Sequence, residues 1–366
     1  MGLCISALLS TFYLIEKVYA LFCGRRCFKN RFFWAFGALG LALLAAQIEP
    51  VKAWDLYRHY EELERMRVGG WQYAAESGRY RLYPVINLLF FLVSRTSWNG
   101  LLVFISVGTE LLLFEKIIAF YREKGLTEQT CSLCFFLYIV LCNMVLAISG
   151  IRNVLAVTLT QYGLWRYCVM RKQKRYLFLC AVAVLIHPAA VFADILFVVS
   201  YFPLQMPAAV FSLALLPILV KYFGLLLLIQ NSFVRLAAGT FQLYLQNGGV
   251  LDIRVRVLSF ALMIFTLLAL KNAGKRMGKT RLFRYAAVYL FGTMGMVTNA
   301  ILYARMLYGL SVVCVAALCE GELHCLKSGQ AAETQNYRLY KVYCLIYSAG
   351  MVAFQGYELL RAILRL

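Results

Sequence analysis

The stretch Trp54-Asp55-Leu56-Tyr57-Arg58-His59-Tyr60-Glu61-Glu62 is the richest in the chain in groups that could do chemistry. Positions i, i+3, i+4 and i+7 share one face of a helix. On such a face Asp55, Arg58, His59 and Glu62 place a carboxylate, a guanidinium, an imidazole and a second carboxylate side by side. Those groups can take up a proton and hold an anion at the same place. The same spacing also suits a solvated helix laced with ion pairs, and spacing alone does not separate the two.

Three further positions carry polar chemistry in apolar surroundings. Arg152 stands in Ser149-Gly150-Ile151-Arg152-Asn153, at a tight turn between two apolar segments. Its guanidinium could snorkel to lipid headgroups or grip a phosphate through two parallel hydrogen bonds. His187-Pro188 lies well inside the apolar segment that starts at Tyr176, where a polar side chain is costly and is a functional candidate. Asp194 follows on roughly the same face but two turns away, about 10 Å at the standard rise, so the spacing implies no contact. Arg305, in Leu302-Tyr303-Ala304-Arg305-Met306, interrupts a late apolar run. Lys221, Glu110 and Glu115 with Lys116 read as structural pairs or segment ends. Gly274-Lys275-Arg276-Met277-Gly278-Lys279-Thr280 imitates a phosphate-binding loop but is one residue short between its glycines and has no strand before it.

The elements that must position these groups are membrane helices. Of 366 residues, 62% are hydrophobic and 15% charged, against about half and about a quarter in a soluble domain. Apolar segments run roughly 3–23, 32–48, 83–94, 101–120, 131–149, 153–170, 176–202, 208–230, 257–270, 285–302, 303–320 and 339–358. Several approach the ~20 residues that cross a bilayer, and lipid satisfies no backbone polar group, so they must be helical. The expectation is an all-α polytopic transmembrane bundle of about 10 to 12 apolar helices, some of them re-entrant, in a single integral membrane domain over 1–366. The N-terminal apolar segment reads as a first span, and the cysteines, Cys131-x-x-Cys134 included, as packing residues, with no metal site.

The formal charge of +20 does not indicate nucleic acid, because it is concentrated beside apolar segments. Arg25, Arg26, Lys29 and Arg31 form one block, Arg171, Lys172, Lys174 and Arg175 a second, and Lys271 through Arg284 a third. That distribution marks cytoplasmic loops. The stretch 49–83 carries six basic and six acidic residues and suits the far side. Five apolar segments separate the first two blocks where an even number of crossings is required, so one segment does not cross. The short segment 83–94 is the best candidate, which makes 49–100 one external assembly with a re-entrant or interfacial helix and puts Arg122 and Lys124 inside. Three segments separate the second and third blocks, again an odd number, and 208–230, interrupted by Pro217 and Lys221, is the expected broken span.

Taken in order, Asp55-Leu-x-Arg58-His59-Tyr60, Tyr83-Pro84, Gly150-Ile151-Arg152-Asn153, the Arg171–Arg175 block, Ile186-His187-Pro188 and Tyr303-x-Arg305 resemble the EpsG family of polysaccharide polymerases. The chain departs from that pattern at Tyr83, where the family often has glutamate, and at Ala189, where it often has serine. The resemblance implies a Wzy-like, GT-C-like membrane glycosyltransferase of the bacterial cytoplasmic membrane with an outward-facing site. Its reaction would join oligosaccharide repeats carried on polyprenyl diphosphate, with one lipid-linked repeat as donor and a second as acceptor. Arg152, Arg305 and Arg58, with His59, would hold the diphosphate, while Asp55 or else His187 would take the acceptor proton. The implied reaction needs no cofactor or metal and inverts the anomeric carbon. The implied partners are the bilayer, the lipid-linked donor and acceptor, and a chain-length regulator. A ligase-type transferase, a flippase of lipid-linked sugars and a non-catalytic scaffold remain as alternatives. Matching halves, as a flippase would carry, are not evident in the sequence.

Overall fold

The computed structural model describes residues 2–26, 31–50, 54–142, 144–170, 173–201, 280–296 and 300–328, with Lys52 and Met263 singly. Every regular element among them is helical. The apolar segments 208–230, with Pro217 and Lys221, 257–270 apart from Met263, and 339–358 lie outside the described residues, as does most of the third basic block. Two described helices are long and apolar enough to cross a membrane, over Cys4–Cys23 and Arg305–His324, and Phe32–Ala45, Pro84–Ser94 and Ala190–Val199 are shorter apolar helices.

Helices α1 (Gly2–Cys23) and α2 (Arg31–Ala45) pack as a hairpin, and α2 lies along α5 (Leu101–Glu123). Between α2 and α5 the chain makes an excursion through α3 (Asp55–Glu76) and α4 (Pro84–Ser94), which fold on each other. It returns close to its point of departure: a Cβ on Gly100 would collide with the carbonyl of Ala46. At eleven residues, about 16 Å of helix, α4 is too short to cross a bilayer. Arg67 clamps the excursion by donating to the carbonyls of Ser94 (3.2 Å) and Thr96 (2.9 Å), and Arg95 donates back to the Met66 carbonyl. Gly70, at φ +65°, bends α3 in a conformation that side chains rarely adopt.

The core is organised around the last described helix. After α6 (Glu128–Cys142), α7 (Met144–Ser149), α8 (Ile151–Val169), α9 (Phe178–Ile186), α10 (Ala190–Val199) and α11 (Arg281–Gly295) comes α12 (Ala300–Ser328), packed by α5, α6, α8 and α11. All residues from Leu310 to Cys319 are buried there. Helices α5 and α8 run parallel. The Ser106 hydroxyl donates to the Ile151 carbonyl (2.9 Å) near their starts, and the Trp165 indole donates to the Tyr121 hydroxyl (3.1 Å) near their ends. At that second end Arg26 and Arg122 converge on Glu128. Large apolar side chains face outward along α1, among them Ile5, Leu8, Phe12, Ile15 and Phe22.

Two readings of the sequence need correction. The apolar segment 176–202, entered once in the count of segments, holds two helices in its described part. It folds back at His187-Pro188, so that Cys180 on α9 hydrogen-bonds Asp194 on α10 and the Tyr201 hydroxyl comes within 3.4 Å of that of Tyr167 near the end of α8. Proline lacks the N–H that would continue the helix and pushes the residue before it into extended backbone, here His187 at φ −155°, ψ 131°. The Tyr201 ring also lies 4.0 Å from the Arg281 guanidinium that opens α11. Second, Glu115 pairs with Lys17 of α1 (2.5 Å) and the Tyr13 hydroxyl, while Lys116 is exposed. Burial makes the distant partner the stronger one, because the neighbouring lysine reaches solvent on the other face of the helix. Glu110, as read from the sequence, is a structural pair, accepting from the Tyr138 hydroxyl at 2.6 Å.

Candidate functional site

The end of the bundle opposite Glu128 gathers the chemistry. Asp55 occupies the first turn of α3, where the helix dipole favours a carboxylate. One of its oxygens lies 3.5 Å from Arg58 Nη1, one turn on, and the other 3.9 Å from Arg305 Nη2 on α12. These separations exceed a hydrogen bond, so the carboxylate sits between two cations without being locked to either. Arg305 is only 16% exposed against 59% for Arg58, so its charge acts through a lower dielectric.

Arg152, in the first turn of α8, stacks its guanidinium 4.2 Å from the centre of the Tyr80 ring and 5.7 Å from that of Tyr83. The Tyr80 hydroxyl lies 2.6 Å from His59 Nδ1. The His59 ring is buried edge-on to Phe90. Burial holds its pKa well below the ordinary histidine value, and the cations Arg152, Arg79, Arg305 and Arg58 depress it further. The imidazole is therefore neutral at pH 7. His187, at the tip of the α9–α10 turn, is within electrostatic reach of Arg152, Arg305 and His59. Its Nδ1 accepts the backbone N–H of Ala189 at 3.1 Å, which places the proton of the neutral ring on Nε2.

The six residues expected to act on substrate, Asp55, Arg58, His59, Arg152, His187 and Arg305, thus lie toward one end of the bundle. The face expected on α3 nevertheless divides. Asp55 and Arg58 stay open, whereas Glu62 turns inward and accepts the backbone N–H of Arg79 at 2.7 Å, bracing the loop that leads to α4. Arg79 and Tyr80 escaped the reading of the sequence. Arg79-Tyr80-Arg81, a basic and aromatic triplet just before Tyr83-Pro84, was the available signal.

An array of this kind suits a multiply charged anion whose charge grows during reaction, next to a carboxylate that can receive a proton. No curated protein and no solved structure matches the chain. A family model matches residues 53–362, a range that begins after α2 and takes in all six converging side chains: the chain belongs to the EpsG family, a Wzy-like polymerase family.

Proposed function

We propose that the protein polymerises oligosaccharide repeats linked to polyprenyl diphosphate into a surface polysaccharide. It does so as a polytopic protein of the bacterial cytoplasmic membrane, with α3, α4 and the arginine array facing outward. The observation that carries this reading is the loose Asp55–Arg305 pair, flanked by Arg152 and shared with Arg58. In the proposed reaction a sugar hydroxyl of the acceptor attacks the anomeric carbon of the donor. The bond from that carbon to the diphosphate oxygen breaks, the acceptor proton passes to Asp55, and the lipid diphosphate leaves. Inversion follows because one carboxylate acts as base and none as nucleophile. Charge appearing on the departing diphosphate is met by Arg152 and Arg305, which are fixed before the reaction begins. Arg305 exchanges its distant carboxylate partner for the phosphate oxygens. The tautomer of His187 supports a role as hydrogen-bond donor through Nε2 and leaves Asp55 as the base.

Deleting the protein tests this reading. Surface glycan run on a gel should collapse to single repeats. A flippase defect would leave no repeat outside, and a ligase defect would leave polymer on its carrier. In the restored strain, Arg152→Ala or Arg305→Ala should insert normally and cut chain lengthening by ~100-fold or more, the usual cost of removing a charge-stabilising donor. Near-normal polymer from both variants contradicts the mechanism.

A further inference from the structure

We infer that Tyr80 is a positioning residue for Arg152, holding that guanidinium where it meets a diphosphate. The inference rests on the proposed polymerase site and assigns a role to a residue outside the six expected to act on substrate. Tyr80 is 2% exposed, so its ring does not stack sugars in solvent. Its face lies 4.2 Å from the Arg152 guanidinium, its hydroxyl 2.6 Å from His59 Nδ1, and its edge against Phe90 with ring centres 4.6 Å apart. Three contacts in three directions fix the ring. Its backbone is fixed as well, because Glu62 holds the N–H of Arg79 and Tyr83 N–H returns to the Tyr80 carbonyl at 2.8 Å.

Stacking differs from ion pairing in one respect that matters here. It engages the face of a guanidinium and none of its in-plane N–H donors, which point outward from the edge in the fork that matches phosphate. A buried aromatic ring under Arg152 therefore adds a restraint that acts on the charge of the guanidinium. Loss of the ring leaves the charge in place but removes that restraint, and bidentate recognition suffers first.

The test uses the full-length protein in detergent and inorganic pyrophosphate as the probe. Tyr80→Phe keeps the ring and should bind pyrophosphate close to wild type. Tyr80→Leu should weaken binding by about tenfold, the scale of a desolvated cation–aromatic contact. Ring-fluorinated phenylalanines at position 80 preserve shape and fold while draining charge from the face, and affinity should fall stepwise with each fluorine. In an Arg152→Ala background, that dependence should vanish. Affinity that stays flat across the fluorinated series, or that falls equally with and without Arg152, overturns the assignment. A side chain that merely filled space would give the flat result. Binding is read without turnover, so a wild-type protein that bound pyrophosphate but made no polymer would remove the proposed function and leave this inference intact.

Discussion

His59 shows how far a residue's type can mislead about its work. In the sequence it is a candidate ligand on an open face, whereas in the fold it is buried against Tyr80 and Phe90 and kept neutral by burial and the surrounding arginines. A sign follows for stability. Below the ordinary histidine pKa of about 6.5 the unfolded chain takes up a proton that the folded ring refuses. Stability should therefore be insensitive to this group above that value and fall as pH drops below it, until the depressed folded pKa is reached. His59→Gln should make the slope of unfolding midpoint against pH shallower in the range of about pH 5 to 6.5, followed by thermal unfolding in detergent. An unchanged slope would show that His59 is not the buried neutral group described. The charged members of the site were legible because arginine, aspartate and histidine are rare amid apolar sequence. Tyr80 was not, being one of 24 tyrosines and distinguished only by what it touches.

Among the elements, the turned-back pair α9 and α10 departs most from what hydropathy suggests. Pro188 announced a weak point, but the apolar run continues on both sides of it, and only the partners Cys180 and Asp194 reveal that the arms lie side by side. Single cysteines at Lys174 and Tyr201, in a background without other cysteines, should be labelled by an impermeant reagent from the same side of the membrane. Labelling from opposite sides would mean that 176–202 crosses. A second prediction concerns α1, which lies outside the family match yet is held by a buried ion pair. Glu115→Ala strands Lys17 among the rings of Tyr13, Trp34 and Phe135 and should cost roughly 3–5 kcal/mol. Adding Lys17→Leu should recover most of the loss, because it removes the stranded charge. Equal stability of the single and double variants, measured by thermal unfolding, would contradict this.

The whole molecule gathers α4 and the tip of the α9–α10 turn, both too short to span a bilayer, where α3, α8 and α12 deliver their charged groups. Such elements can present polar groups below the surface because neighbouring helices cover their ends. The shortness of α4 was legible in advance, since the apolar segment 83–94 is itself too short to span. Counting alone did not find the turn at His187, because both arms read as equally good membrane helix. The convergence of Asp55, Arg152 and Arg305 is a property of the assembled bundle and of no local stretch, and it carries the proposed chemistry. The most direct test is turnover by purified protein in liposomes supplied with a polyprenyl-diphosphate-linked repeat, comparing wild type, Arg152→Ala, Arg305→Ala and, as a control on the exposed side of α3, Arg65→Ala. Wild type and the control should release polyprenyl diphosphate and build polymer, while the two site variants should do neither. Polymer formed at wild-type rate by both site variants would contradict the account.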